Sequence, residues 1–216
     1  MRTVVYVDGF NLYYGALRGT ALKWLDLYAL FQEHVLEPGA QVEQVRYYTA
    51  PVKGSSSDDC ASPQRQQCYL RALQAYRGSR IEIIHGFIMR TTPLLRLTDP
   101  SQGRSGATVQ VFQFTEKQTD VNLTADLISD AWRGRYEQAV VCSNDTDLVG
   151  ALRAVRRDHP ALTIGIVAPA RDQRYVSSDL RKVAHWHKTL SPVHLSTAQL
   201  PERIPGTPLT RPEAWK

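Results

Sequence analysis

Acidic residues follow two apolar segments of the chain, at positions where carboxylates could bind a divalent cation. Asp8 comes directly after the β-branched run Thr3 to Val7. Asp145 and Asp147 follow the apolar run Ala139 to Cys142. Short apolar runs are typical of buried parallel strands, whose carboxyl ends meet at one edge of a sheet. Carboxylates held together there repel one another unless a cation or a shared proton intervenes, so the pattern indicates a metal site.

Polar residues beside these acids each have two interpretations. Asn11, within Val-Asp-Gly-Phe-Asn, could orient Asp8 or contact a phosphate, or could only stabilise the turn. The hydroxyls of Ser143 and Thr146 could contact substrate and orient the second pair of acids, or cap a helix. Helix capping alone would equally explain Asp145. The combination, rather than any one residue, predicts the site.

A further acid, Asp120, follows Glu-Lys-Gln-Thr at the predicted start of a helix. An acid at that position stabilises the positive helix N-terminus whatever else it does. Lys117, close in sequence, could contact a substrate phosphate or be solvated. Asp126 lies on a different face of the helix from Asp120, so we expect it to support the site indirectly or to lie on the surface.

The elements that must position these residues alternate between strand and helix. Strands are predicted at residues 3–7, 42–48, 81–86, 139–142 and 162–167. Helices are predicted at residues 63–76, 120–132, 147–157 and 179–188, with a helical pattern over 12–35 that breaks near Gly19. Residues 87–97 and 109–115 are interpreted as a β-hairpin with a mobile tip at 99–106. This order predicts an α/β fold in three layers, a central mainly parallel sheet flanked by helices, plus a β-hairpin insertion.

Length and composition favour one soluble domain. The chain has 216 residues and a mean hydropathy of −0.33, and no apolar stretch approaches the roughly 18 residues of a membrane span. The N-terminal segment is interpreted as a first strand rather than a secretory leader. Three cysteines without C-x-x-C spacing argue against a disulfide framework and a structural zinc site, and favour a cytoplasmic location. We expect a domain at residues 1–190 and a proline-rich tail, 191–216, packed on it.

Together these motifs resemble the NYN domain, the branch of PIN-like ribonucleases that includes the LabA and DUF88 proteins. The matching segments are Val-Asp-Gly-Phe-Asn, Lys-Gln-Thr-Asp-Val-Asn-Leu-Thr-Ala-Asp and Ser-Asn-Asp-Thr-Asp-Leu. They stand in the family's order, and the resemblance covers about residues 1–190. One departure is Asn144, where the family usually has Gly; Asn tolerates turn conformations better than most residues.

The resemblance implies a PIN-like fold and a metal-dependent endoribonuclease that hydrolyses phosphodiester bonds. The implied ligands of Mg²⁺ or Mn²⁺ are Asp8, Asp120, Asp145 and Asp147. Hard carboxylate oxygens independently favour these ions, whereas zinc would favour His or Cys. His185 and His187 flank Trp186 on a predicted helix, and we expect them to pack or to lie on the surface rather than bind metal.

The implied partner is RNA, in single-stranded form. A net charge of +5 is compatible with a polyanion, although many basic proteins bind none. Basic residues that could contact phosphates are Arg90, Arg96, Arg104, Arg171, Arg174, Arg181 and Lys182. Tyr13, Tyr14, Tyr47 and Tyr48 could stack on unpaired bases, with core packing as the alternative. We expect no membrane partner, and a homo-oligomer is compatible with the sequence.

Two other functions remain compatible with these residues. A non-catalytic RNA-binding or regulatory protein could keep the same acids, since fold does not imply activity. A Mg²⁺-dependent phosphatase also places acids at strand ends. The Asp-x-Asp motif of the haloacid-dehalogenase class is absent, however, because Gly9 and Phe10 follow Asp8. The choice between RNA and DNA is open, since no residue visibly recognises a 2′-hydroxyl.

Overall fold

The computed structural model describes residues 1–52, 59–97, 108–169 and 176–216. Its strands are β1 (Arg2–Asp8), β2 (Gln41–Thr49), β3 (Ile81–His85), β4 (Phe87–Thr91), β5 (Leu94–Arg96), β6 (Thr108–Gln110), β7 (Gln113–Lys117), β8 (Gln138–Cys142), β9 (Thr163–Ala168) and β10 (Trp186–Thr189). Its α-helices are α1 (Gly9–Leu12), α2 (Leu27–Ala29), α3 (Ser62–Arg77), α4 (Thr119–Trp132), α5 (Val149–Asp158), α6 (Ser178–Val183) and α7 (Pro192–Thr197). The chain is therefore mixed α/β, as predicted.

The centre of the molecule is a six-stranded sheet in the order β10-β9-β8-β1-β2-β3. Its pairings are parallel. From β1 the chain adds β2 and β3 on one side, then returns to add β8, β9 and β10 on the other. The order reverses between β1 and β8, and sheets of this type bind ligands beyond the carboxyl ends of the strands at such a point.

Both faces of the sheet are covered, which explains why the central strands β1 and β8 are almost continuously apolar. Along β1, Val5 and Val7 pack into one core, whereas Val4 and Tyr6 pack into the other. Successive side chains of a strand point to opposite faces, so a short β-branched run can serve two cores at once.

The first helical layer contains α1, α2 and α3. A π-helical segment, Tyr13–Leu17, continues α1, and another, Leu30–Val35, continues α2. The residues after β10 also lie on this layer: the Trp24 indole donates a hydrogen bond to the carbonyl of Pro201 at 2.9 Å, and its ring contacts that of Trp215. These residues after β10 thus complete the first core.

The second helical layer contains α4, α5 and α6 and is tied to the sheet by polar groups as well as apolar ones. The Tyr6 hydroxyl donates to Asp130 of α4 at 2.8 Å, and Arg46 of β2 forms an ion pair with the same carboxylate at 3.1 Å. Because Asp130 is buried, this pairing offsets the cost of removing its charge from water.

A β-arm projects from the layers between β3 and α4. Strands β4 and β7 pair antiparallel, as do β5 and β6. The predicted β-hairpin is confirmed, and its predicted tip falls within 98–107, outside the described residues. At the root of the arm, a Cβ on Gly86 would lie 2.3 Å from the carbonyl oxygen of Lys117, so glycine permits the close approach that brings β7 to the sheet edge.

The predicted helix at 179–188 is wrong after Val183. The chain extends at Ala184, and β10 pairs with β9, giving β9 a backbone partner on its outer side. A Cβ on Gly165 would lie 2.1 Å from the Trp186 ring, so this glycine makes room for the indole. His185 accepts a hydrogen bond from the backbone N–H of Ile164 at Nδ1, at 2.9 Å. His185 therefore has a structural partner, as expected, but it lies on extended backbone and not on the predicted helix.

The proline-rich tail is more regular than predicted, since α7 begins at Pro192. Proline is tolerated in the first turn of a helix because its missing N–H has no partner there. Ser191 caps this helix by accepting from the backbone N–H of His194 at 3.2 Å. Within the ranges given above, no helix combines the length and apolar character needed to cross a bilayer.

Candidate active site

Asp8 lies at the carboxyl end of β1 and is almost completely buried. Its Oδ1 accepts from the backbone N–H of Asn11 at 2.9 Å, and so caps α1. Its Oδ2 accepts from the hydroxyl of Ser143 at 3.0 Å. Burial raises the pKa of this carboxyl, the two hydrogen bonds lower it, and the charges of Asp145 and Glu116 raise it again. The result is a raised pKa at the point where the strand order reverses.

Ser143 links the two strand ends that carry the acids. It follows β8 directly and is fully buried. Its Oγ donates to Asp8 and accepts from the backbone N–H of Asp145 at 3.1 Å. Asp145 in turn accepts from the N–H of Asp147 at 3.0 Å, capping a short 3-10 turn, Thr146–Leu148, before α5. The helix-capping role considered for Asp145 is present, and it coexists with placement beside Asp8.

Asn11 and Asn144 form a second link across the same junction. The side-chain oxygen of Asn11 accepts from the backbone N–H of Asn144 at 3.0 Å. The side-chain oxygen of Asn144 accepts from the N–H of Ser177 at 2.8 Å, just before α6. At the position where the family usually has Gly, this chain thus carries a side chain that ties the loop after β8 to the start of α6.

Asp120 lies in the first turn of α4 and is partly buried. The pKa of its carboxyl is raised to about 6, and burial is the largest cause. Four negative charges raise it further, in decreasing order of effect those of Asp8, Asp145, Glu116 and Asp147. Since Coulomb interactions fall with distance, this set of perturbing charges shows that the acids from three separate segments share one electrostatic environment. Perturbed carboxyls in a cleft are characteristic of functional sites.

Glu116 is an acidic neighbour of the site that the sequence analysis missed. It lies on β7, and its Oε1 accepts from the backbone N–H of Thr119 at 3.0 Å, at the beginning of α4. Gln118, between them, has a φ of 77°, a left-handed conformation that is uncommon for residues other than glycine. Glu116 precedes this sharp turn at Gln118, and Asp120 follows it. Only the short spacing between the two acids hinted at this arrangement.

The other predicted residues are placed at the edge of the site. Asp147 and Thr146 are exposed on the 3-10 turn, and Lys117 is exposed at the end of β7. Asp126 is turned away: it accepts from the Tyr48 hydroxyl at 2.9 Å and forms an ion pair with Arg46 at 3.4 Å. Its contacts are those of a structural residue joining α4 to β2.

The structure separates the four tyrosines considered for base stacking. Tyr48 is fully buried, and Tyr47 is buried with its ring near Gly9. Tyr13 and Tyr14 are exposed, 38% and 58% respectively. The exposed pair is therefore available for contacts with a ligand.

The basic candidates are scattered. Arg90 and Arg96 are exposed on the β-arm, where the Arg90 guanidinium lies over the Phe112 ring at 3.9 Å. Arg181 and Lys182 are exposed on α6, and Lys182 forms an ion pair with Asp179 at 2.9 Å. Arg104, Arg171 and Arg174 lie outside the described residues.

The carboxylates match a hard divalent cation in chemistry. Within residues 1–52, 59–97, 108–169 and 176–216, no group of three or more His, Cys, Asp or Glu side chains is arranged so that it could hold a metal ion. Mg²⁺ is commonly held by one or two carboxylates while it keeps several waters. The donor atoms therefore fit a hydrated ion, and a closed cage of protein ligands is not preformed in the described chain.

The fold and this edge define an α/β protein with an acidic cluster at the switch point of a parallel sheet. The NYN domain family matches residues 2–190, and the chain belongs to this family. NYN domains form a nuclease-like family whose members generally have functions that involve nucleic acids.

Two comparisons with individual proteins give different kinds of information. The chain is 35% identical over 236 aligned positions, covering 100% of its length and 75% of the relative, to the 6-hydroxy-3-succinoylpyridine 3-monooxygenase HspA of Pseudomonas putida. It also resembles the crystal structure of a protein of unknown function from Vibrio parahaemolyticus, with a TM-score of 0.50 and 18% identity over 88% of this chain and 93% of the other. The second likeness concerns the fold alone.

Proposed function

We propose that this NYN protein is a Mg²⁺- or Mn²⁺-dependent endoribonuclease that acts on single-stranded RNA. The observation that carries the proposal is the pair of hydrogen bonds through which Ser143 joins Asp8 to Asp145 at the switch point of the sheet. The raised pKa of Asp120 supports it, because the charges of both acids contribute to that shift. Membership of a nuclease-like family supports the same function. The negative field of these acids would attract a cation, and a bound cation would offset the repulsion between them and a phosphodiester.

In this proposal Asp8 and Asp145 would bind the ion directly. In the described arrangement Asp120 and Asp147 would reach it through water, and direct binding by either would need a local rearrangement. Glu116 joins them as a further carboxylate at the same edge. A bound divalent ion supplies a water of lowered pKa and offsets charge on the phosphate. The protein's own contribution is positioning.

Positioning of Asp8 depends on its two donors. The Asn11 N–H and the Ser143 hydroxyl hold one carboxylate oxygen each, and both favour the charged form against the effect of burial. An ionised carboxylate with fixed orientation is the form that can bind a cation. Asn11 acts through its backbone on Asp8 and through its side chain on the loop that carries Asp145.

The test is a cleavage assay with labelled single-stranded RNA, and with matched DNA, across a titration of Mg²⁺ and Mn²⁺. Asp145→Asn removes a charge from the site. Asp158→Asn is the matched control, because it removes a charge from an exposed residue at the end of α5. We expect the wild type and Asp158→Asn to cleave RNA only with metal, and Asp145→Asn to be at least about 100-fold slower. Wild-type protein that binds RNA but never cleaves it would instead support the non-catalytic RNA-binding role.

A second candidate function rests on the 35% identity with a protein named as a monooxygenase over the whole length of this chain. A monooxygenase inserts one oxygen atom of O₂ into its substrate and reduces the other to water with two electrons and two protons, the electrons coming from a reductant. Oxygen uptake with 6-hydroxy-3-succinoylpyridine and NADH or NADPH tests this directly. Uptake that needs both substrate and reductant, by protein that leaves RNA intact, would replace the nuclease proposal.

A further inference from the structure

A cavity of about 410 Å³ opens beside the acidic cluster. Gly9 and Glu116 line it, and both also belong to the edge that carries Asp8. Its other walls come from α1 and the π-helical segment after it, the end of β2, the first half of α3, the β-arm and Trp215. The volume lies in the range of small-molecule binding sites, about 300–1,000 Å³.

The walls of this cavity are rich in aromatic rings. Phe10 and Tyr14 stack with centroids 6.4 Å apart and an angle of 19° between their planes, and Tyr13 meets Tyr14 edge to face at 5.2 Å. Phe114 of β7 and the buried Tyr47 also belong to this lining. Because Tyr13 and Tyr14 are exposed, their ring surfaces can be covered by a ligand, and planar π-systems are the ligands that aromatic side chains stack on.

Cationic groups accompany the rings. Lys23 and Arg65 line the cavity with Asp59, which is ion-paired with Arg65. These two cations balance Asp59 and Glu116 in the lining. The Arg18 guanidinium, which lies over the Tyr14 ring at 5.5 Å, adds one positive charge beside the rings. That charge suits a ligand whose aromatic ring is attached to an anionic group.

We propose that this cavity binds an unpaired base of the RNA strand, a planar heteroaromatic ring whose nucleotide carries an anionic phosphate. The choice of RNA rests on the proposed nuclease function, because Gly9 and Phe10, which line the cavity, follow Asp8 directly in the chain. Seating one base there would position the scissile phosphate and give the protein a preference for unpaired RNA, since a paired base cannot enter.

The test measures ligand binding without catalysis, in EDTA, by titration calorimetry. The probes are UMP and AMP, with pyridine-3-carboxylate as a free heteroaromatic acid. Tyr14→Ala removes an exposed ring of the cavity, and Tyr76→Ala removes an exposed tyrosine of α3 that is not in its lining. We expect the wild type and Tyr76→Ala to bind at least one nucleotide equally, and Tyr14→Ala to bind it about tenfold more weakly.

Other results would overturn the proposal. If Tyr14→Ala and a second cavity variant, Phe114→Leu, both bind nucleotides as tightly as the wild type, nucleotides bind elsewhere. If the wild type binds no nucleotide, the cavity is not a nucleobase site. Binding of pyridine-3-carboxylate alone would overturn the assignment to a nucleobase. Because EDTA removes metal, nucleotide binding that Tyr14→Ala weakens would uphold the cavity even if the protein never cleaves RNA.

Discussion

The hydroxyl of Ser143 donates a 3.0 Å hydrogen bond to the carboxylate of Asp8, and this bond joins the carboxyl ends of β1 and β8. Both residues are buried, so neither group can exchange its partner for bulk water. The same hydroxyl accepts from the backbone N–H of Asp145. One small side chain thus sets the spacing between the two acids that the sheet brings together.

Ser143→Ala should therefore weaken both folding and function. The Asp8 carboxylate would lose a donor in a buried site, which costs about 1–3 kcal/mol and lowers Tm by about 2–4 °C for each kcal/mol in a chain of this size. Loss of that donor should also raise the pKa of Asp8 further and shift the acidic limb of the pH–rate profile upward. Ser196→Ala, an exposed serine on α7, is the matched control. An unchanged pH profile in Ser143→Ala would argue against this role.

Asp120 should make stability depend on pH in metal-free solution. Its pKa is about 6 in the folded protein against an ordinary 3.8, so between these values the folded state binds more protons than the unfolded state. Stability should consequently fall as the pH rises from about 4 to about 6. We expect Asp120→Asn to raise Tm at pH 7 in EDTA by about 2–6 °C, with the gain disappearing near pH 4.

Asp158→Asn provides a control of opposite sign for the Asp120 experiment. The pKa of Asp158 is lowered by its hydrogen bond from Arg157, so its charge is favourable in the folded state. Its removal should not stabilise the protein at pH 7. If Asp120→Asn fails to raise Tm in EDTA, burial and the neighbouring acids do not disfavour the charge of Asp120 as the structure indicates.

Asp126 should behave as a structural residue although it belongs to the family motif. Asp126→Asn would weaken the contacts with Tyr48 and Arg46, at a cost of about 1 kcal/mol, or about 2–4 °C in Tm. Cleavage measured well below Tm should stay within about threefold of the wild type. A loss approaching that of Asp145→Asn would place Asp126 in the catalytic machinery instead.

Divalent metal should stabilise the folded protein through the acidic cluster. At a concentration of Mg²⁺ or Mn²⁺ about 100-fold above Kd, binding to the folded state contributes about 2.7 kcal/mol, which corresponds to about 5–10 °C in Tm. Differential scanning fluorimetry with and without EDTA measures this shift. It should be lost in Asp145→Asn and kept in Asp126→Asn; an equal shift in both variants would mean that metal binds elsewhere.

Much of the fold followed from local pattern. The apolar runs of β1, β8 and β9 predicted buried strands, because a strand covered on both faces must be apolar at successive positions. Asp8 and Asp145 were predicted to meet because parallel strands share a carboxyl edge, and this reasoning needs only the order of the elements. β10 was missed because its polar edge-strand sequence resembles the end of a helix and its stability comes from pairing with β9.

The sequence by itself therefore determined the α/β class, the family and the acids at the strand ends, since these depend on short motifs and on periodicity. The tertiary structure alone decided which neighbours reach those acids. It turned Asp126 toward Tyr48 and Arg46, brought Glu116 in from the β-arm, and left Tyr13 and Tyr14 exposed while burying Tyr47. These outcomes depend on close contacts between segments far apart in the chain, and such contacts leave no signal in local residue spacing.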